Sequence, residues 1–362
     1  MRVILKIGFR CQNRKWGVCM SESLQEHVNR LLTLGTLSLG EFTELLRFRN
    51  AEITEYLFRK AVEIKMRQFD KGVFLWGRLP FSNYCKYDCK YCGLRRSNQF
   101  ARRYRLELPD ILYYCREAYQ RGVRNFLLES GVDISYSEEK LAKIISEIHK
   151  HFSDCSIILS VGERTKAAYA HWFHAGATAA LMNQGTSNEI HFKRLHPGNI
   201  SLLKRKQCMW EMRETGYLTG TGFLVGTPNQ TMEQVAEDLL FMKQFSPNIV
   251  CVSPYLPAAH TPFEKERSGN GEMVLYIMAI LRLLLPTGFI VADTSLEQTM
   301  QEARMKALEA GANVIIADIV DESVRENYQV YNRRILRRQT TGDHSLTSLI
   351  QKAGYRVENH HI

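Results

Sequence analysis

The chain lacks any apolar run long enough to cross a bilayer. Its best candidate among 362 residues, Tyr276 to Pro286, is short and contains Arg282, whereas a membrane-spanning helix needs about 20 apolar residues. The first residues also lack the apolar core and cleavage site of a secretory signal. These absences predict a cytoplasmic protein that does not bind membranes.

Cysteine is too scarce for a disulfide scaffold, with nine in the whole chain. Without an export signal, this usage predicts a reducing compartment, where a redox cluster also survives best. Four of the nine are scattered one by one at Cys115, Cys155, Cys208 and Cys251. Such isolated cysteines are commonly small core residues, so they do not predict a second cluster.

The formal net charge of +10 comes mostly from lysines and arginines spread along the chain, which predicts solvated helix faces. Two arginine clusters stand out, but neither lies on a recognisable nucleic-acid-binding module, so nucleic acid is not an expected partner. The first cluster could instead receive an anionic substrate or an acidic partner. The clusters are Arg95, Arg96, Arg102, Arg103 and Arg105, and Arg333, Arg334, Arg337 and Arg338.

The most informative motif is a group of three cysteines, Cys85, Cys89 and Cys92, with Tyr91 before the last. Three thiolates at this spacing can ligate three irons of a four-iron cluster and leave the fourth iron open. An open coordination position is where a cosubstrate binds and reacts. The alternative is a zinc knuckle, which needs a fourth ligand close by, and none follows before Cys115. The motif therefore favours a redox cluster.

Apolar strand-like runs alternate with amphipathic helical stretches, as in a parallel α/β fold. Eight such runs favour a closed (βα)8 TIM-type barrel over an open doubly wound sheet. The predicted strands are Val73–Phe81, Arg124–Glu129, Ser156–Val161, Ala179–Met182, Tyr217–Leu224, Ile249–Pro254, Phe289–Asp293 and Asn313–Ala317. The predicted helices include Pro109–Arg121, Glu138–His151, Thr231–Gln244 and Glu297–Ala310.

The pattern also divides the chain. Residues 1–19 are expected to be a non-functional extension, with Met20 as a plausible start. Residues 20–72 read as a helical segment that packs outside the barrel. The barrel is predicted over residues 73–357, followed by a tail at residues 358–362.

In a barrel of parallel strands, the loops after the strands build the active site. The cysteines directly follow the first predicted strand, so they fall at this end. Polar residues and glycines after other strands are candidates to hold a ribose, an amino acid moiety or an adenine, although each alone is also ordinary turn chemistry. These candidates are Ser130, Gly131, Ser160, Glu163, Gly226 and Thr227.

The cysteine segment through Cys92-Gly-Leu-Arg-Arg-Ser-Asn98, with Arg103-Tyr-Arg after it, resembles the radical S-adenosylmethionine (SAM) enzymes. It is most similar to the group that contains the iron-only hydrogenase maturase HydE, biotin synthase and methylornithine synthase. The similarity continues through Leu159–Glu163, Leu195-His-Pro197 and Thr261-Pro-Phe263. It extends from Leu31 to about Val357.

The resemblance implies that a 4Fe-4S cluster reductively cleaves SAM to methionine and a 5'-deoxyadenosyl radical. By position, Ser160 and Arg205 match family residues that contact SAM, and Tyr91 and Glu163 lie in matching stretches. Arg205 could pair with the methionyl carboxylate. Implied partners are a small-molecule or organometallic substrate, an electron donor such as ferredoxin or flavodoxin, and other maturation proteins.

Departures from the family pattern fall at several strand ends. Where the family has a Glu after the fourth strand, this chain has Gly185, and Val132 and Ala258 replace a Glu and a His. After the seventh strand, Asp293 and Glu297 replace neutral residues. Asp293 is therefore predicted to hold a substrate amine; the alternative is a helix-capping Asp.

Three functions remain open. The first is a HydE-type enzyme acting on an organometallic precursor of the hydrogenase diiron centre. The second is a relative acting on a different small substrate, such as an amino acid. The third is a non-enzymatic protein that uses the cysteines structurally to bind metal or nucleic acid.

Overall fold

The computed structural model describes residues 22–332, 346–358, 360 and 362. The predicted extension at residues 1–19 and the arginine cluster of residues 333–338 lie outside this range. Among the described residues, no helix is long and apolar enough to span a membrane.

Strands and helices alternate along the described chain after an N-terminal helical segment. The strands are β1 (Gly72–Ser82), β2 (Asn125–Ser130), β3 (Ser156–Ser160), β4 (Ala179–Gly185), β5 (Leu218–Val225), β6 (Ile249–Pro254), β7 (Phe289–Ala292), β8 (Val314–Asp318) and β9 (Arg356–Glu358). The helices are α1 (22–34), α2 (Leu39–Arg47), α3 (Ala51–Phe69), α4 (Leu108–Gln120), α5 (Glu138–His151), α6 (Lys166–His174), α7 (Glu189–Leu195), α8 (Leu202–Thr215), α9 (Met232–Phe245), α10 (Gly271–Leu284), α11 (Ala303–Glu309), α12 (Glu322–Asn327) and α13 (Leu346–Lys352).

The sheet is a closed barrel of eight parallel strands. Strands β2 to β8 pair in sequence order, and β1 closes the ring because it pairs with both β2 and β8. Trp76 shows the closure directly, since its partners are Asn125 on one side and Ile316 on the other. The predicted TIM-type barrel is confirmed, and each of the eight predicted strands overlaps an observed one.

The N-terminal helices pack on the outside of the barrel. Ser38 caps α2 in a reciprocal capping box with Glu41, and Asn50 caps α3. Helix α2 lies against α9, and α3 lies against α10 and α11. The helical prediction for this segment is therefore confirmed, and these helices cover the apolar side of α10, whose residues are almost all buried.

Side chains inside the barrel change from apolar to polar toward its carboxyl end. The apolar interior includes Trp76, Leu127, Ile158, Val291 and Ile316. Because side chains alternate along a strand, the residue two positions later faces the same interior. That next layer is polar and consists of Arg78, Glu129, Ser160, Asn183, Ser253, Asp293 and Asp318.

Two parts of the chain differ from the sequence pattern. The predicted helix Glu297–Ala310 is a 3-10 turn, Leu296–Gln298, followed by α11, because Glu302 adopts a left-handed conformation with φ 55°. At the opposite end, β9 pairs in parallel with the start of β1. Ile362 also donates its backbone N–H to Asn125 Oδ1 at 3.0 Å, so the described tail residues pack under the barrel.

Candidate active site at the mouth of the barrel

The cysteine loop, residues 83–105, follows β1 at the carboxyl end of the barrel. Its backbone is hydrogen-bonded to three separate segments: the loop after β2, the end of α7 and the segment after α12. These bonds join Lys86 N to Val132 O, Lys90 N to Leu195 O and Gly93 N to Val330 O, each at 2.9 Å. The loop therefore has a defined shape without regular secondary structure.

The Arg103 guanidinium holds the inside of this loop. It donates hydrogen bonds to the carbonyl oxygens of Leu94 at 3.0 Å and Arg95 at 2.6 Å, and also to those of Asn83 and Asn98. One side chain thus satisfies carbonyls on both sides of the cysteines. Arg103 was predicted to belong to a possible anion-binding cluster, but its donors are used within the loop.

Other members of that arginine cluster are also engaged. Arg105 pairs with the buried Asp133 at 2.7 Å. Arg95 and Arg96 lie 3.6 and 3.2 Å from Asp88. The cluster therefore shapes the loop and its surface, and it does not converge on one anion.

The three cysteines are each partly buried and face a shared space. Burial raises the pKa of the Cys89 thiol to about 12, although the nearby Arg205 guanidinium opposes the rise. Burial also raises the pKa of Cys92, and the neighbouring Cys89 and Cys85 raise it further. Thiolates held here need a positive charge beside them, which bound iron supplies.

The donor set fits an iron–sulfur cluster. Three soft thiolates are typical cluster ligands. Within the described residues, no group of three His, Cys, Asp or Glu side chains is positioned to hold a single metal ion.

A chain of hydrogen bonds links the cysteine loop to the far side of the mouth. Tyr87 donates its hydroxyl to Glu163 Oε2 at 2.6 Å, and Arg205 Nε donates to Glu163 Oε1 at 2.6 Å. Arg205 Nη1 also contacts the Asn183 carbonyl oxygen at 3.4 Å. Glu163 and Arg205, each predicted separately as a site residue, are thus brought together, and Tyr87 is a member that sequence reasoning missed.

Tyr91 is bonded to a buried histidine on the next segment. Its hydroxyl lies 3.2 Å from His196 Nε2, while His196 Nδ1 lies 3.0 Å from the Phe192 carbonyl oxygen. Burial lowers the pKa of His196 to about 3, with help from the Arg205 charge. The ring is therefore neutral, with Nδ1–H donating to Phe192 and Nε2 accepting from Tyr91. A Cβ built on Gly185 would contact His196 Cε1 at 3.4 Å and the Tyr91 hydroxyl at 3.8 Å, so the position where a Glu was expected lies directly beside this pair.

The ends of β2 and β3 contribute Ser130, Gly131 and Ser160. The Ser130 hydroxyl donates to the Gly131 carbonyl oxygen at 2.7 Å. Ser160 is partly buried, and its hydroxyl makes no hydrogen bond within the described residues. A Cβ on Gly131 would lie 2.3 Å from Tyr84 O and 2.7 Å from Cys85 Cβ. Glycine at 131 is thus needed for the close approach of β2 to the cysteine loop.

Gly226 and Thr227 lie in a separate corner at the end of β5. Gly226 N donates to Gln230 Oε1 at 2.6 Å. The buried Thr227 hydroxyl lies 2.6 Å from His191 Nε2. These predicted site residues are therefore bonded to their own neighbours, and the structure shows no contact between Thr227 and the cysteine loop.

The polar layer inside the barrel has one cation. Arg78 Nε donates to Asp318 Oδ1 at 2.7 Å and lies 3.8 Å from Glu129 Oε2. Arg78, Glu129 and Asp318 were not predicted as site residues. The signal was available, because each follows an inward apolar residue of its strand by two positions.

Asp293 belongs to the same layer. Its carboxylate accepts the Ser253 hydroxyl at 2.5 Å and the Ser295 backbone N–H at 2.7 Å. Asp293 and Glu129 both act on the buried Cys251 thiol. Burial raises the pKa of this thiol, and the negative charges of the two carboxylates raise it further. Glu297, the other acidic residue that replaces a neutral one after the seventh strand, is paired with Arg304 instead. Its Oε1 lies 2.7 Å from Arg304 Nε.

Comparison with known proteins agrees with this site. Residues 79–242 match the model of the radical SAM superfamily. The chain is 34% identical over 307 residues to the [FeFe] hydrogenase maturase subunit HydE of Thermotoga maritima, covering 83% of this chain and 87% of that protein. It is 28% identical over 334 residues to 3-methylornithine synthase of Methanosarcina acetivorans, covering 92% and 93% of the two chains.

The fold has a close counterpart among solved structures. The crystal structure of methylornithine synthase (PylB) superposes with a TM-score of 0.81 at 24% identity, covering 92% of this chain and 97% of that one. The match of residues 79–242 to the superfamily model and the 34% identity to the T. maritima HydE show that the chain belongs to the radical SAM superfamily, and it is an enzyme of that class. Within the superfamily, it is similar to the HydE and 3-methylornithine synthase group, as the sequence predicted.

Two separate glycine-to-alanine substitutions test the packing of the cysteine loop. Gly131→Ala should push Tyr84 and Cys85 away and destabilise the protein by about 1–3 kcal/mol, with a matching loss of bound iron. Gly198→Ala is the control, because nothing lies within 4 Å of a Cβ there. Iron content after anaerobic reconstitution and urea unfolding measure the two effects. Equal behaviour of the two variants would contradict the packing argument.

Proposed function

We propose that Cys85, Cys89 and Cys92 hold three irons of one 4Fe-4S cluster and that SAM binds beside it. The observation that carries this proposal is the placement of three partly buried cysteines on one loop at the carboxyl mouth of a closed barrel. When bound, the cluster and SAM supply a 5'-deoxyadenosyl radical by one-electron reductive cleavage of SAM. The chain supplies ligands, orientation and exclusion of water.

Arg205 is proposed to bind the methionyl carboxylate. Glu163 and the Asn183 carbonyl oxygen occupy its Nε and Nη1. Its Nη2 has no partner within the described residues and is the amino group that can take a carboxylate in a charge-assisted bond. Glu163 keeps the guanidinium in place and balances its charge.

The remaining SAM contacts are proposed around this pair. The Ser160 hydroxyl is available as a donor, and Ser130 and Gly131 line the approach from β2. Tyr91 donates its own proton to His196, so it can offer SAM only its ring and the lone pairs of its oxygen. Gly226 and Thr227 can contribute through the backbone, because the Thr227 hydroxyl is occupied by His191.

We propose a small substrate that carries an amine. The polar layer has the single cation Arg78, which is already bonded to Asp318, and the further carboxylates Glu129 and Asp293. Within the described residues, Asp293 accepts hydrogen bonds only from the neutral donors Ser253 and Ser295. Asp293 is partly buried, so a cationic partner would stabilise its carboxylate, and a substrate ammonium group is such a partner.

HydE-type hydrogenase maturation is the second candidate. It is favoured by the 34% identity to the T. maritima HydE over 83% of this chain. In that case the substrate is an organometallic precursor, and other maturation proteins are partners. The two candidates share the cluster and SAM and differ in what the polar layer binds.

Removing the three cysteines together tests the cluster. Anaerobically reconstituted protein should hold about four irons, and the variant with Cys85, Cys89 and Cys92 all changed to Ala should hold none in a cluster. Cys208→Ala, a core cysteine outside the loop, is the control and should keep its iron. Iron analysis and the visible absorption spectrum give the answer. Unchanged iron and spectrum in the triple variant would refute this ligand set.

Arg205 can be tested by SAM binding. Arg205→Ala should weaken SAM binding about 10- to 100-fold, because the carboxylate loses a charge-assisted partner. Arg205→Lys should be intermediate, since it keeps the charge and loses the fork. Lys204→Ala, an exposed neighbour on α8, should bind normally. Calorimetry on the reconstituted wild-type protein and the three variants measures the SAM affinity. Unchanged affinity in Arg205→Ala would remove Arg205 from the site.

Asp293→Asn removes the charge while keeping the size. It should lower the stimulation of SAM cleavage by L-lysine or L-ornithine about tenfold or more, while cleavage without substrate stays near the wild-type rate. Glu272→Gln, an exposed carboxylate in the first turn of α10, should change neither.

Product analysis of 5'-deoxyadenosine measures both activities. Equal loss of both activities in Asp293→Asn would contradict an amine substrate. Restoration of hydrogenase activity by that variant in a host that lacks its maturase would also contradict it and favour the second candidate.

A further inference from the structure

A pocket of about 320 Å³ lies on the outer side of the cysteine loop. Its walls come from three segments: residues 93–102 of that loop, residues 258–260 after β6, and residues 326–332, which begin in α12. Neither the three cysteines nor any residue of the polar layer lines it. We call it the outer pocket, because it is separate from the site proposed inside the barrel mouth.

Hydrogen bonds between the three segments hold the outer pocket in shape. Gly93 N donates to the Val330 carbonyl oxygen and Asn332 N donates to the Pro257 carbonyl oxygen, each at 2.9 Å. Ala259 N also donates to Asn332 Oδ1 at 2.7 Å. The pocket is therefore pre-organised, and little conformational entropy is lost when a ligand binds.

Two side chains of opposite charge, Arg102 and Glu326, line the outer pocket. Both are exposed, and within the described residues neither forms an ion pair or a side-chain hydrogen bond, with each other or with a third group. Asn98, in contrast, uses its side chain within the cysteine loop, where Nδ2 donates to the Gly93 carbonyl oxygen at 2.8 Å. The pocket therefore offers one cation and one anion to the same ligand.

Apolar groups form another part of the wall. Phe100 is 74% exposed, and its ring stacks on that of His260 with centroids 4.1 Å apart. Leu94 and Ala258 are buried and line the same pocket. An exposed aromatic ring gains stabilising contacts when an apolar group covers it. The pocket therefore suits a ligand that has an apolar part beside its two charges.

A ligand that meets all these groups carries a carboxylate, an ammonium group and an apolar side chain. A volume of about 320 Å³ is at the lower end for small-molecule sites, which agrees with a ligand of amino acid size. We propose that the outer pocket binds a free α-amino acid with an apolar side chain, with its carboxylate on Arg102 and its ammonium group on Glu326. The inference depends neither on the cluster nor on the proposed amine substrate.

L-Phenylalanine and two analogues with one charge each test the proposal: phenethylamine lacks the carboxylate, and 3-phenylpropionate lacks the amine. Calorimetry is done on the anaerobically reconstituted, oxidised protein with saturating SAM, so that the SAM site is not open to the amino acid. The variants are Arg102→Gln and Glu326→Gln. Their controls are Lys86→Gln, an exposed cation of the same loop, and Glu322→Gln, an exposed carboxylate of the same helix; neither residue lines the pocket.

Wild type should bind L-phenylalanine about tenfold or more tightly than either analogue. Arg102→Gln should weaken L-phenylalanine binding about tenfold and leave phenethylamine binding unchanged, because that analogue has no carboxylate to lose its partner. Glu326→Gln should weaken L-phenylalanine binding similarly and leave 3-phenylpropionate binding unchanged. The two controls should stay within about twofold of wild type. A structural change in the pocket would instead weaken the binding of all three ligands.

Three results would overturn the proposal. One is the absence of L-phenylalanine binding at millimolar concentration. Another is equal affinity for L-phenylalanine and 3-phenylpropionate, which would make the pocket an anion site. The third is a loss of L-phenylalanine binding in Asp293→Asn with no loss in Arg102→Gln. That result would place the amino acid inside the barrel, so the proposed amine substrate would stand while the outer pocket fails.

Discussion

The arrangement of the site depends on how an irregular loop is held. Residues 83–105 have almost no regular backbone hydrogen bonding, so their carbonyl groups must find partners elsewhere. Arg103 satisfies carbonyls on both sides of the cysteines, including those of Leu94 and Arg95. Backbone bonds from three other segments fix the outside of the loop. A single partly buried cation, Arg103, therefore helps to set the shape of the loop that carries the three cysteines.

The sequence predicted the barrel well because its signals are local and repeated. Strand-like runs alternated with amphipathic helices, and glycines such as Gly176 and Gly311 ended helices with positive φ. The cysteine loop was equally clear, because its chemistry is carried by residue type and spacing. Glu163 and Arg205 were implied by resemblance as separate site residues, and their pairing was not predicted, since their 42-residue separation gives no local signal.

The parts that were missed depend on tertiary contacts. Tyr87 belongs to the site because its hydroxyl donates a hydrogen bond to Glu163. The Thr227 hydroxyl is hydrogen-bonded to His191 and is therefore not available to a ligand. The short strand β9 forms only because the start of β1 offers it an open edge. The layer containing Arg78 and Asp318 was missed although the two-residue alternation of its strands carried a signal. Strands buried on both faces read as continuous apolar runs, which makes that alternation hard to see.

The proposed ligands divide the barrel into two halves. The residues proposed to hold SAM, including Ser160, Glu163 and Arg205, come from the ends of β2 and β3 and from α8. The carboxylates of the interior include Asp318 at the end of β8, which pairs with Arg78 on β1, and Asp293 directly after β7, which is bonded to Ser253 on β6. Glu129 on β2 lies where the two halves meet, beside Arg78 and next to Ser160 in the sheet.

This division explains how one scaffold can serve different substrates. Changes at the ends of β7 and β8 alter charge in the interior without touching the bonds that hold Arg205 or the cysteine loop. Asp293 illustrates this, because its partners Ser253 and Ser295 belong to its own half of the barrel. Relatives named as a hydrogenase maturase and as a methylornithine synthase can therefore share the radical-forming half. We propose that the charge of this interior, set by Arg78 with Asp318 and Glu129 beside it and by Asp293 after β7, selects the substrate of this chain.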